Sequence, residues 1–315
     1  MAVEVEPGRP GPLLPEGESA GPFGAFRAVP SSGQWRLVAR RFRRRRLAMA
    51  GLVVLAVLAL SAVFAPALTP YEVNPTLDSE VLSQARQAPS VRHPFGTDEL
   101  GRDQLTRVLY GGRISLLVGL SVALASSVVG TAVGAIAGYF GGWVDQLLMR
   151  LVDLLLVLPG TALVMVAQKG LGGSLPVIVL VLGFLFWRAV ARVVRGVFLS
   201  LKEQEFVEAA RASGASSVRI IVSEMLPSAV GPICVHLTLA AGAAILAESA
   251  LSFLGFGIQP PAVSWGNMLA QSRGAVGTDL SYLVYAPGMA ILLTVLAVNF
   301  VGNGLRDALD PQTGS

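Results

Sequence analysis

Long apolar runs separated by short polar segments make up most of this chain. A helix needs about 20 apolar residues to cross a bilayer, and six runs come close to that length. They cover residues 47–68, 114–138, 147–167, 175–191, about 226–247 and about 283–305. The pattern predicts an all-α, polytopic membrane protein with six transmembrane helices, of which the last five form a core over 114–312.

The composition supports this prediction, since 53% of the 315 residues are hydrophobic and only 14% are charged, whereas soluble domains carry roughly 25% charged residues. The net charge is +4, and much of the excess lies in the arginine-rich stretch 40–46, directly before the first run. Such a cluster is typical of a cytoplasmic flank held by anionic membrane lipid rather than of a nucleic-acid site. Six spans then place both termini on the cytoplasmic side of the inner membrane.

The polar segments divide the chain further. Residues 1–34 are rich in Pro, Gly, Ser and Glu and have no apolar period, which predicts a disordered cytoplasmic tail. Residues 35–68 combine the basic flank with the first transmembrane helix, and 69–113 form a long extracytoplasmic loop. That loop is rich in arginine, but Asp and Glu balance the charge, and long loops count little toward orientation.

Within this loop, the stretch HPFGTDELGRDQLTRVLYGGR (93–113) is acidic first and basic later, an order that suits the dipole of a helix. We expect a short helix here, opened by Thr97 or Asp98 as N-cap. A metal site at Asp98, Glu99 and Asp103 is disfavoured, because their spacing is not that of a calcium loop. We expect no metal site in the chain.

The segment 203–227 is too polar to cross the membrane, although it lies between two apolar runs. From residue 205 it reads EFVEAARASGASSVRIIVSEMLP. Residues at three-residue spacing form one polar face of a helix: Glu205, Glu208 and Arg211. Two small residues, Ala209 and Ala210, make a surface beside that face. The threading of the spans places this segment in the cytoplasm.

A glycine interrupts the same segment. Gly214 permits a left-handed helix end, and Ser216 or Ser217 is a typical N-cap for a second short helix. Pro227 suits the first turn of the next membrane helix, where its missing N–H costs no hydrogen bond. We therefore expect two short helices joined at Gly214 on the cytoplasmic surface.

These residues resemble the coupling loop of ABC importer permease subunits. The hallmark of that loop is Glu-Ala-Ala, three residues, Gly and a later Leu-Pro, matched by Glu208, Ala209, Ala210, Gly214, Leu226 and Pro227. Glu224 departs from the pattern, which usually has Ile there. Further blocks over 35–312 resemble the second permease subunit of dipeptide and oligopeptide importers: HPFGTDELGRD, YFGGWVDQLLMRLVD, AILAESALSFLGFGIQPPAVSWGNML and GNGLRDALDP. Nickel and glutathione importers carry similar permeases.

The resemblance implies a type I ABC importer permease fold and several partners: a homologous permease subunit, two ATPase subunits and an extracytoplasmic substrate-binding protein. It also implies that the ATPase contacts Glu205, Glu208, Ala209, Ala210, Arg211 and Gly214. The only lysines, Lys169 and Lys202, lie outside any Gly-Lys-Ser/Thr phosphate loop. We therefore expect ATP and Mg to be bound by the ATPase subunits, with no cofactor and no enzymatic activity in this chain.

Polar residues inside the apolar runs are candidates for the translocation path. Glu248 lies near the outer end of the fifth run, and Asn299 and Asn303 share a face of the sixth. Helix packing and interhelical hydrogen bonds are the alternative for all three. Arg150 and Asp153, one helical turn apart, are expected to neutralise each other.

Two other classes of membrane protein compete with this interpretation. A secondary transporter would usually carry charged, broken helices near the midplane and would have no use for the polar 203–227 segment. A membrane-embedded enzyme would have little chemistry to work with, since the chain has two histidines and one cysteine. We expect His236 to bond a neighbouring helix and Trp265 to lie at the membrane interface.

Overall fold

The computed structural model describes residues 32–309, and within this range the chain is helical and contains no strand. The first helix, α1 (Ser32–Arg44), carries most of the basic cluster, and the next is α2 (Arg46–Val63). The predicted disordered tail lies largely outside the described residues, and its last three residues already belong to α1. A single turn, α3 (Ala65–Leu68), follows α2.

The extracytoplasmic loop contains α4 (Ser79–Ser83) and then turns without regular structure up to α5 (Gln104–Phe140). The prediction of a separate short helix capped by Thr97 or Asp98 is wrong. The N-cap of α5 is Asp103, whose carboxylate accepts a hydrogen bond from the Thr106 N–H at 2.7 Å, and α5 continues unbroken through the second span. No helix begins earlier because Gly101, at φ 78°, adopts a left-handed conformation that a helix does not tolerate.

The third span is broken. It consists of α6 (Gly142–Val157) and α7 (Gly160–Leu171), whose axes differ by 80°, so the prediction of one continuous helix is wrong. Pro159 has no N–H for the carbonyl of Leu155 and pushes the residue before it into an extended conformation. The guanidinium of Arg188 on the following helix donates a hydrogen bond to that carbonyl instead.

The second half of the chain completes the bundle. Its elements are α8 (Leu175–Lys202), α9 (Glu205–Ala212), α10 (Ser217–Arg219), a π turn (Ile220–Met225), α11 (Leu226–Phe253), α12 (Trp265–Gln271), a 3-10 turn (Arg273–Ala275) and α13 (Tyr282–Leu309). Within the described residues, five helices are long and apolar enough to cross a membrane. A sixth span results when α6 and α7 count as one broken span, in agreement with the predicted number.

Glycines allow the central helices to pack closely. Gly130, Gly134 and Gly138 follow one another at four-residue spacing on the face of α5 that contacts α8. A Cβ atom on Gly134 would lie 2.5 Å from the carbonyl oxygen of Ala191 on α8, which is too close for a side chain. Small residues at this spacing let two membrane helices approach to backbone contact. The α5–α8 pair is thus the centre of the fold, with α11 and α13 packed beside it.

Candidate functional site

The segment between α8 and α11 begins with α9, which ends in a regular left-handed cap. Gly214 has φ 77°, its N–H donates to the carbonyl of Arg211 at 2.9 Å, and the N–H of Ala215 donates to that of Ala210 at 3.1 Å. This pair of bonds is the Schellman motif, which satisfies carbonyls left over at a helix end. Gly214 therefore has the predicted conformation.

The second predicted helix does not stand alone. Ser216 is its N-cap, with the side chain accepting a hydrogen bond from the Arg219 N–H at 3.4 Å, but α10 runs through the π turn directly into α11. The turn precedes Pro227, which lacks the N–H needed to continue regular α-helical bonding. The predicted pair of short helices is wrong in this respect, since one short helix is followed by the extended start of the fifth span.

One face of α9 is open. Glu205, Glu208, Ala209, Arg211 and Gly214 are exposed, whereas Ala210 is half-buried against the core. The positions 205, 208, 209 and 212 recur on one helical face, which is therefore acidic and small. We call these four residues the α9 face. Ala209 belongs to it and Ala210 does not, so the two alanines do not share one surface as predicted.

The opposite side of α9 is fixed to the bundle. Val207 is fully buried in a cluster with Phe198 of α8, Tyr139 of α5 and Met225 of the π turn. The guanidinium of Arg211 lies 5.6 Å from the centre of the Tyr139 ring, within the range of a cation–π contact. Because these contacts join α9 to the ends of α5, α8 and α11, a displacement of α9 is transmitted to three spans.

Two exposed valines were not anticipated from the sequence. Val218 is 71% and Val222 is 53% exposed, and both follow Gly214 at a spacing of four residues, which places them on one side of a helix. The signal was present in the sequence as an apolar pair within a polar segment. They add apolar area to the exposed part of the 203–227 segment.

Glu248 lies inside the subunit. Its side chain is fully buried, and Oε1 accepts hydrogen bonds from the hydroxyls of Ser252 at 2.6 Å and Ser264 at 2.8 Å. Oε2 has no hydrogen-bond partner in the part of the chain that the structure describes. The carboxyl group is enclosed where the end of α11 meets the start of α12, and its role in the path stays a prediction.

The two asparagines of α13 are more accessible. Asn299 is half-buried and Asn303 is exposed, and neither amide has a hydrogen-bond partner among residues 32–309. The nearby Gly302 packs against Leu239 of α11, so small residues and not the amides make the interhelical contact. Both amides remain available, and their role in the path is also untested.

Two models of protein families match this chain. One, described as the binding-protein-dependent transport system inner membrane component, matches residues 130–315, and the other, the N-terminal TM domain of oligopeptide transport permease C, matches residues 33–89. The chain belongs to the first family. Membership confirms the predicted type I ABC permease fold and an ABC importer permease that crosses the membrane several times. The permeases of this family work with a partner permease and ATPase subunits.

Curated relatives align over most of the permease. The dipeptide transport system permease protein DppC of Alkalihalophilus pseudofirmus is 40% identical over 303 residues, covering 96% of this chain and 97% of that protein. The DppC protein of Bacillus subtilis is 42% identical over 273 residues, covering 87% and 84%. The glutathione transport system permease protein GsiD of Escherichia coli is 40% identical over 278 residues, covering 88% and 90%.

Ion pairs of the permease join the broken span to α8. Asp145 and Asp153 on α6 pair with Arg195 and Arg192 on α8, respectively. The prediction that Arg150 neutralises Asp153 is wrong, because Asp153 pairs across to the neighbouring helix, and Arg150 is exposed without an ion-pair partner in the described residues. Charged groups of α6 thus hold it to the helix that also anchors α9.

Two further predictions concern aromatic and histidine side chains of the permease. Trp265 is 2% exposed, and its indole N–H donates to the carbonyl of Val108 at 2.8 Å. It therefore lies in the core, and the predicted place at the membrane interface is wrong. His236 is half-buried and has no hydrogen-bond partner among the described residues, so the expected bond to a neighbouring helix is not formed.

The acidic residues of the outer loop are engaged within the permease. Oδ1 of Asp98 accepts hydrogen bonds from the N–H groups of Leu100 and Arg102, each at 2.9 Å. Asp103, the N-cap of α5, also lies 2.9 Å from Nδ1 of the buried His93. These contacts assign a turn-stabilising and capping role to both carboxylates, in line with the preference for capping over metal binding.

Proposed function

We propose that this permease forms one half of the translocation path of an ATP-driven importer of dipeptides or short oligopeptides. A homologous permease subunit forms the other half, two ATPase subunits bind ATP and Mg, and an extracytoplasmic binding protein delivers the cargo. The names of the relatives support peptide cargo, and the glutathione permease keeps glutathione as the near alternative. In this proposal both termini and the 203–227 segment are cytoplasmic, and the permease itself hydrolyses no ATP and holds no cofactor.

The observation that carries the proposal is the two-sided character of α9. Its α9 face is exposed, acidic and small, which suits close docking into a groove of another protein. Its other side inserts Val207 into the core shared by α5, α8 and the π turn. Closure of the ATPase subunits would displace α9, and the packed cluster would pass the displacement to the spans and open the path outward.

A secondary transporter is the rival of another class. The break between α6 and α7 is a feature that such transporters also use. Family membership decides for the ATP-driven class, and the anchored α9 has a role only when a separate energy-supplying subunit exists.

The proposal predicts the effect of blocking the α9 face. Ala209→Leu adds bulk to that face, and Glu208→Lys reverses its charge. Each change is expected to weaken docking of the ATPase at least about tenfold, equal to about 1.4 kcal/mol. Dipeptide uptake by membrane vesicles and cargo-stimulated ATP hydrolysis by the purified transporter should both fall, while expression and pairing with the second permease stay normal.

Matched controls come from the outer loop, where Ala88→Leu and Glu80→Lys alter exposed residues of the same types. Both should keep normal uptake. If well-expressed Ala209→Leu and Glu208→Lys transporters also show normal uptake, the α9 face does not contact the ATPase, and the proposed coupling route is wrong.

A further inference from the structure

A cavity of about 370 Å³ opens beside the outer loop and belongs to no part of the coupling segment. Its polar walls are Asp98, Arg102, Arg107 and Gln271, and its apolar walls include Leu100 and Met268. The lining residues come from the outer loop, α12 and the first turns of α5 and α13. None comes from α8 or α11, the spans to which α9 is anchored.

The polar wall is held in place by hydrogen bonds. Oε1 of Gln271 accepts from Nη2 of Arg107 at 2.9 Å and from Nη2 of Arg102 at 3.2 Å. Oδ2 of Asp98 accepts from Nε of Arg102 at 2.7 Å and lies 3.7 Å from Nε of Arg107. The two guanidinium groups are therefore fixed before any ligand arrives, which reduces the entropy cost of binding.

This wall has an excess of positive charge. Arg102 and Arg107 share the single carboxylate of Asp98, because the neighbouring Glu99 pairs with Arg86 at 3.3 Å on the exposed side of the loop. The side chain of Arg107 is only 2% exposed, yet its Nη1 has no hydrogen-bond partner within the described residues. A buried donor on a charged group is costly to leave unpaired, so the wall lacks one anionic acceptor.

We propose that this cavity receives the carboxylate of an Asp or Glu side chain of the extracytoplasmic binding protein. Guanidinium groups pair with carboxylates through charge-assisted and often bidentate hydrogen bonds, and buried arginines are frequent centres of binding energy at protein interfaces. The cavity has room for one side chain and opens on the outer loop, where a soluble partner arrives. The inference rests on the proposed function, which places this loop outside and supplies such a partner.

The test titrates the purified transporter in nanodiscs with its cargo-loaded binding protein and measures stimulated ATP hydrolysis. Arg107→Gln removes the charge, and Leu100→Trp fills the cavity while leaving every polar contact of Arg107 in place. Both are expected to raise the half-saturating concentration of binding protein at least about tenfold. Arg86→Gln and Leu82→Trp, which change exposed residues of the same loop outside the cavity, should stay within about twofold of the unaltered permease.

Each other outcome has a definite meaning. Unchanged half-saturation in Leu100→Trp overturns the proposal even where Arg107→Gln fails to assemble. Calorimetric titration of the transporter alone with N-acetyl-glutamate tests the free ligand, and millimolar binding that Leu100→Trp abolishes would assign the cavity to a small carboxylate and overturn the partner. If the binding protein does not stimulate even the unaltered transporter, the proposed function fails, which is a different result.

Discussion

Glu248 shows how a single side chain organises the outer end of the bundle. Its Oε1 accepts from Ser252, whose own oxygen accepts from the N–H of Ile258 at 3.2 Å. It also accepts from Ser264, the N-cap of α12, which forms a reciprocal capping box with Asn267. One carboxyl group thus joins the end of α11, the connecting loop and α12. That role is structural and is separate from any contact with cargo.

The two roles of Glu248 predict different responses to substitution. Glu248→Leu leaves two buried hydroxyls without their acceptor, at about 1–3 kcal/mol each, and should lower the thermal midpoint of the purified permease by several degrees. Glu248→Gln keeps an acceptor oxygen and should leave the midpoint within about 2 °C, because a neutral amide satisfies the same hydroxyls.

Uptake measured on the same Glu248→Gln protein separates the roles. Normal uptake is the result expected from a structural carboxyl group. Lost uptake at an unchanged thermal midpoint would instead require the charge of Glu248, which would support its prediction as a residue of the path.

Among the elements, the pair α5 and α8 carries the largest share of the packing. The three glycines of α5 remove side chains at successive turns, so the backbones meet where larger residues would hold them apart. The same pair anchors α9 through Tyr139 and Phe198. Close packing and transmission of movement therefore depend on one helix contact.

This contact predicts opposite effects for two identical substitutions. Gly134→Ala places a Cβ atom 2.5 Å from the Ala191 carbonyl oxygen, which forces α5 and α8 apart, and should lower the thermal midpoint and the yield. Gly288→Ala on α13 meets no atom within 4 Å and should be neutral or stabilising, because Ala favours a helix over Gly. Equal midpoints for the two variants would show that close α5–α8 packing does not limit stability.

The sequence predicted the elements better than their ends. Apolar periodicity identified every span, because membrane burial requires it whatever the neighbours are. The ends of α5 and α8 extend past the apolar runs because polar residues such as Asp103 and Arg195 find caps and ion pairs that only the folded chain supplies. The break at Pro159 needed one more step, since its freed carbonyl is satisfied by Arg188, 33 residues away in contact range.

The candidate site divides in the same way. The left-handed Gly214 followed from local chemistry, since glycine is the residue that adopts positive φ without strain. The anchoring of Val207, the burial of Ala210 and the meeting of Arg107 with Gln271, 164 positions apart, depend on tertiary packing. No local pattern in the sequence carries that information.

For the whole molecule, the membrane crossings decide which surfaces meet which partners. Counting α6 and α7 as one span gives six crossings, an even number that returns the chain to the side on which it began. The basic cluster before α2 then favours a cytoplasmic start. The α9 face lies on that side and the cavity with Arg107 lies on the other, as the two docking proposals require.

This topology predicts which introduced cysteines an impermeant thiol reagent reaches. In a Cys234→Ser background, which removes the only cysteine, Glu203→Cys lies just before α9 and Val276→Cys follows α12, and both positions are exposed. With intact cells, the reagent should label Val276→Cys and not Glu203→Cys, because the bilayer separates it from the cytoplasmic segment. Permeabilised cells should show both labels, which controls for folding and reactivity. Labelling of Glu203→Cys in intact cells would reverse the orientation and would leave the α9 face out of reach of a cytoplasmic ATPase.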